Sequence, residues 1–126
     1  QSFLSITKIY EKYLTLQEIQ EIPLKYLNSN SSFIFDFMKY PWFETIEEVS
    51  KYFEKIFIND KLKLRELLGH RYENGETIFS KFVYDKEDVK KKSEVFIQLL
   101  RKTFDENEEE EFIEFFKILS VRLKVS

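Results

Sequence analysis

Cysteine and alanine are absent from the 126 residues, and glycine and proline occur only twice each. Without cysteine there are no disulfides, no thiolate chemistry and no sulfur-built zinc site, and the redox compartment stays open. The two glycines, Gly69 and Gly75, are too few for a phosphate cradle, which needs several closely spaced before a helix, usually with Lys and Ser or Thr. No apolar run approaches the ~20 residues that span a bilayer. The N-terminus shows no secretory or transit pattern. It starts at Gln1 rather than Met, as a processed or excised chain does.

Histidine is equally scarce. His70 is the single one, and no Ser, Asp or Cys stands at a recognised catalytic spacing from it, so it reads as a loop histidine just past a helix end. The net charge of −3 argues against a free-standing binder of duplex DNA but leaves room for a local basic patch.

Large rings are abundant, with 14 Phe and 7 Tyr, and apolar residues make up 43% of the chain against 34% charged. That mixture is globular, and at this length one domain covering residues 1–126 can bury a core of its own. Lysine far outnumbers arginine, and residue types with GC-rich codons are scarce, which points to an AT-rich genome. Phenylalanine then fills space that leucine or alanine fills elsewhere.

Helical spacing runs through most of the sequence. Phe3, Ile6, Ile9, Tyr10, Tyr13 and Leu14 mark a first helix. Thr15 with Glu18 is a capping-box pattern that starts a second one at Leu16, with Pro23 expected to end or kink it. Residues 28–32 read as a loop, and 33–40 as a short buried helix or a strand, ended by Pro41. Thr45 with Glu48 predicts another start, followed by a stripe of Ile46, Val49, Phe53, Ile56 and Phe57 and a break at Asn59-Asp60. Leu62, Leu64, Leu67 and Leu68 suggest a further short helix that Gly69 closes in the left-handed conformation.

Asn74-Gly75 is a turn signal, and residues 78–84, rich in β-branched and aromatic side chains, read as a strand. Its expected partners are the stretch around His70 to Tyr72 and the alternating tail Val121, Leu123, Val125. Asp85, with Asp88 at the box position, is expected to cap a helix carrying Val89, Phe96, Ile97, Leu100 and Phe104. Phe112, Phe115, Phe116 and Leu119 mark the last helix. The expected fold is α+β and predominantly helical, with five to seven helices and one small two- or three-stranded antiparallel sheet.

The candidate functional residues fall into three groups. Residues 105–111 hold six acids in seven positions but lack the glycine-centred spacing of a calcium loop, so Glu108, Glu109, Glu110 and Glu111 read as a solvated face or a protein contact. Lys90, Lys91 and Lys92 fan around the helix and cannot all follow one phosphate track; with Arg65, His70 and Arg71 they are the basic candidates for RNA or a partner. Tyr40, Trp42 and Phe43 around Pro41 read as a core lid or an aromatic anchor for a partner. No catalytic residue, metal ligand or cofactor site emerges.

Residues 67–104 resemble the shared domain of a mitochondrion-specific protein family of the small ribosomal subunit. That domain has a Leu-rich segment ending in Gly-x-Arg-Tyr, a turn, a short strand, a basic stretch and a helix with Leu-Leu-Lys/Arg. In the run Leu67-Leu68-Gly69-His70-Arg71-Tyr72, Gly69, Arg71 and Tyr72 match the first element; Lys90 to Lys92 sit where the family has its basic stretch, and Leu99, Leu100 and Arg101 match the last. His70 stands where the family commonly has Pro, its Asn after the basic stretch is absent, and its proline-rich basic N-terminal part has no counterpart in residues 1–60. The resemblance implies a non-catalytic ribosomal protein in mitochondria, with Arg71 and the lysines on ribosomal RNA or a neighbouring protein and the acidic helix on a protein.

Both readings point away from an enzyme and toward a structural or interaction protein. The expected partners are other proteins, with ribosomal RNA if the resemblance holds, and neither a membrane nor a small-molecule substrate. Two alternatives stand beside this one: a stand-alone helical protein–protein interaction module, viral or regulatory, and an enzyme built on carboxylates alone.

Overall fold

The computed structural model describes residues 3–25, 43–71, 75, 77–80 and 88–121. These contain six helices of nine residues or more: α1 (Phe3–Tyr13), α2 (Leu16–Lys25), α3 (Phe43–Ile56), α4 (Lys61–Gly69), α5 (Val89–Arg101) and α6 (Glu109–Ser120). Residues 78–80 are helical as well.

The α1–α2 corner forms as its residues dictate. The Thr15 N–H donates to the Glu18 carboxylate at 3.0 Å, and the Glu18 N–H donates to the Thr15 hydroxyl at 3.2 Å, a reciprocal capping box. These bonds to Thr15 hold the Glu18 carboxyl below its ordinary value of 4.5. Pro23 is buried inside α2. α3 begins at Phe43, so the Thr45–Glu48 pair falls within the helix instead of at its start.

The core lies between α3 and α5, with α1 and α2 packed on α3. Ile46, Val49, Phe53 and Ile56 form the inner stripe of α3 at i, i+3, i+7 and i+10. Phe96, Leu99 and Leu100 face it from α5. Each of these large side chains contributes about 1.5–3 kcal/mol by leaving water. The inner face of α5 takes Leu99 in place of Ile97, and Phe104 lies in the turn after the helix. Tyr52 is also buried there; burial, then the nearby Glu11 and Tyr10, push its phenol up to about 12.

Rings join the remaining elements. Phe79 lies 4.9 Å from Phe96 of α5 and 5.5 Å from Phe116 of α6, centroid to centroid. Phe104 lies edge-on to both Phe112 and Phe115 at 5.7 Å.

The fold is helical, and the expected small antiparallel sheet is corrected: no strand occurs among the described residues. The strand expected at 78–84 is helical at 78–80, and the reason is local. The Thr77 N–H donates to the Ser80 hydroxyl at 2.9 Å, and the Ser80 N–H donates to the Thr77 hydroxyl at 3.2 Å. That reciprocal cap starts a helical turn and buries Ile78 and Phe79, so local capping overrides β propensity. His70 and Arg71 form no strand; Tyr72, residues 81–84 and the tail from 122 onward lie outside the described residues, as do residues 33–40 and Asp85.

Gly69 is likewise corrected. It is the last residue of α4 rather than a left-handed cap, and His70 follows it with extended backbone, φ −65° and ψ 134°. Gly75 has the positive φ, 81°, that the Asn74-Gly75 turn calls for. Asp88 caps α5 in the left-handed region at φ 54°, without a side-chain capping bond.

Candidate interaction surface

The α3–α4 corner is built by a buried amide. Gln20 of α2 donates from Nε2 to the Ile56 carbonyl oxygen and to Asp60 Oδ2, the latter at 2.8 Å. The Asp60 N–H donates to the Phe57 carbonyl at 2.9 Å, and the Asp60 carbonyl accepts from the Leu64 N–H at 3.2 Å. A turn held this firmly decides which side chains face inward. Phe57 enters the core, while Ile58 stands 65% exposed and Leu62, one turn on, 71% exposed.

Beside this ridge lies a cleft of about 340 Å³. Phe57, Leu64, Leu99 and Phe104 give it an apolar lining. Glu54 and Lys102 border it as an ion pair, the ammonium 2.9 Å from each carboxylate oxygen. Lys61, at the start of α4, lines it as well. Large exposed aliphatics next to an apolar recess with a charged rim have the anatomy of a protein-docking face. Other exposed apolar residues include Ile9 and Tyr13 on α1 and Ile118 and Val121 at the end of α6.

The acidic candidates divide in two. Glu108 accepts from the Asp105 N–H at 2.9 Å and lies 3.7 Å from Arg65, and Glu109 pairs with Arg101. Both hold the start of α6. Glu110 and Glu111 are exposed.

The basic candidates divide in the same way. Arg65 stacks on the Phe104 ring, 3.7 Å from its centroid, and donates to the Thr103 carbonyl. Arg71 donates to the carbonyls of Gly75, Ile118 and Val121, binding the end of α6 to the segment after α4. Lys92 is buried, only 1% exposed, whereas Lys90 and Lys91 reach solvent. His70 is half-buried. Tyr40 and Trp42 lie outside the described residues, and Phe43 opens α3.

Sequence reasoning missed Ile58 and Leu62 as a surface pair and Gln20 as its anchor. The periodicity carried part of the signal. At 100° per residue Leu62 falls off the Leu64, Leu67, Leu68 stripe, and Ile58 falls after the last inward residue of α3. Nothing local marks Gln20, whose partners lie 36 and 40 residues away.

No group of three or more His, Cys, Asp or Glu positioned to hold a metal occurs among the described residues. None of their helices is long and apolar enough to cross a membrane. Compared with family models, curated proteins and solved structures, the chain finds no match in any of the three.

Proposed function

We propose that the chain is a non-catalytic helical protein–protein interaction module that docks through the α3–α4 corner. One observation carries this: two large aliphatic side chains, Ile58 and Leu62, are held in water by a hydrogen-bonded turn beside an apolar cleft. A folded chain leaves such a feature uncovered at a cost in free energy, which a bound protein removes. Aliphatic anchors flanked by charge suit a protein surface better than a phosphate backbone.

The ribosomal reading sets Arg71 and Lys90 to Lys92, with Arg65 and His70 as further basic candidates, against RNA or a neighbouring protein. Arg65 and Arg71 already donate to this chain's own carbonyls, and Lys92 is buried, so the observations favour the interaction module.

A photo-crosslinking residue at position 58, in the protein's native cells, tests the proposal. The expected result is protein adducts from position 58 that are missing from position 94 on the exposed side of α5. Equal labelling from both positions, or none from 58, overturns it. Ribosomal RNA co-purifying with the chain would favour the ribosomal reading instead.

A further inference from the structure

We infer that the seat beneath α6 is a recognition site for an acidic amphipathic helix of another protein, and that α6 is its displaceable occupant in cis. The seat lies at the ends of α4 and α5, and its assignment stands without the α3–α4 corner. Here the chemistry of the accepted helix is visible, because a helix lies in place. Gly69, Phe79 and Phe104 meet the rings of Phe115, Phe116 and Phe112. Arg65 and Arg101 meet Glu108 and Glu109 at the start of the helix. Arg71 donates to the Ile118 and Val121 carbonyls at its end. Three of the chain's four arginines thus serve this seat. Together they read a negative helix start, rings at i, i+3 and i+4, and bare end carbonyls. The span is that of a twelve-residue helix, about 18 Å.

The division of charge along the chain matches this. Residues 105–120 carry seven acids against one lysine, a net −6; the whole chain is −3, so the rest is +3. α6 nonetheless fills the seat incompletely. Leu119 alone of its twelve residues is buried. Arg65 Nε and Arg101 Nη1 are buried atoms with no hydrogen-bond partner. Each is a donor that α6 leaves unmet, at a cost that a helix with a better-placed carboxylate removes. The α6 of a second copy would leave the same two donors unmet, so they favour a different helix. α6 follows the turn after α5, so it can lift away while α3 and α5 stay packed.

A fluorescein-labelled, amidated peptide of residues 105–121 is the probe, and its anisotropy with the full chain is the test. In the wild type, tethered α6 competes at roughly millimolar effective concentration, so the probe binds weakly. Glu108→Gln/Glu109→Gln loosens the tethered helix at two sites outside the core, with helical circular dichroism retained. That chain should bind the probe about tenfold more tightly than wild type does. A probe carrying Glu108→Lys/Glu109→Lys should lose about tenfold. The Arg101→Glu chain should reject the original probe and regain binding to one carrying Glu109→Arg, a recovery that damage to the fold cannot produce. A loosened chain that binds no better than wild type, binding indifferent to the probe's charge, or an exchanged pair that fails to recover overturns the inference. So does a loosened chain whose sedimentation mass rises above 15.4 kDa without probe, since the α6 of a second copy would then hold the seat.

Discussion

Gly69 and Phe115 are fitted to each other: a Cβ placed on residue 69 would lie 2.6 Å from Phe115 Cζ. Glycine is needed here for the approach of α6 to the end of α4, not for its backbone freedom. Gly69→Ala should therefore forgo the roughly 1 kcal/mol that alanine normally gains in a helix. It should instead destabilise the protein by about 1–2 kcal/mol, because the ring must shift against Phe104. Urea unfolding measures this, and Gly69→Ala/Phe115→Leu should recover most of the loss. If Gly69→Ala alone stabilises the protein, the fit has been misread.

Gln20→Ala should cost about 1–3 kcal/mol by leaving the Ile56 carbonyl and the Asp60 carboxylate without their amide partner. It should also loosen the Phe57–Asn59 turn, so hydrogen exchange should quicken at residues 57–64. A loss of stability with unchanged exchange there would show that Gln20 does not fix the corner.

Arg71→Ala should release the end of α6. Two of its three carbonyl bonds are exposed, so the global loss is about 1 kcal/mol after solvent screening. The local effect is larger, and amide exchange should rise at residues 118–121. Arg71→Lys should not rescue it, because a single ammonium lacks the forked reach of a guanidinium.

Glu18 predicts an acid limb. Its folded-state carboxyl lies below the unfolded value, so its contribution is present above about 4.5 and is lost as pH falls through the folded value. Glu18→Gln should lower Tm near neutral pH, and the gap from wild type should close in acid. A gap independent of pH would rule out the charged cap.

Tyr52 predicts the opposite limb. Its folded value is about 12 and its ordinary one 10.0, so its contribution is present below 10 and is lost as pH rises toward 12. Spectrophotometric titration of the wild type against Tyr52→Phe should show this phenol resisting ionisation until then. Tyr52→Phe should remove both that phenol and part of the alkaline loss of stability.

The helices were largely legible because the information that makes them is local. The α3 stripe reads directly from Ile46, Val49, Phe53 and Ile56, and the Thr15–Glu18 cap from two residues three apart. The segment at 78–80 misled because its residues favour strands individually, while Thr77 and Ser80 settle the backbone together. Gly69 misled because glycine after a leucine-rich helix commonly marks a cap, whereas its reason here is a ring more than forty residues away. The basic candidates shared that difficulty. A sequence shows that Arg65 and Arg71 are charged, but not that distant carbonyls and a phenylalanine face engage them.

The way α6 is attached sets the order in which the molecule comes apart. Leu119 alone among its twelve residues is buried, while Phe112, Phe115 and Phe116 stay half in water. The helix is held instead by rings at Phe79 and Phe104 and by three arginines gripping its two ends. Such a segment detaches as a unit before the α3–α5 seam opens. Added salt, which screens those grips and spares the seam, should therefore hasten the peeling of α6 well before it lowers the global midpoint.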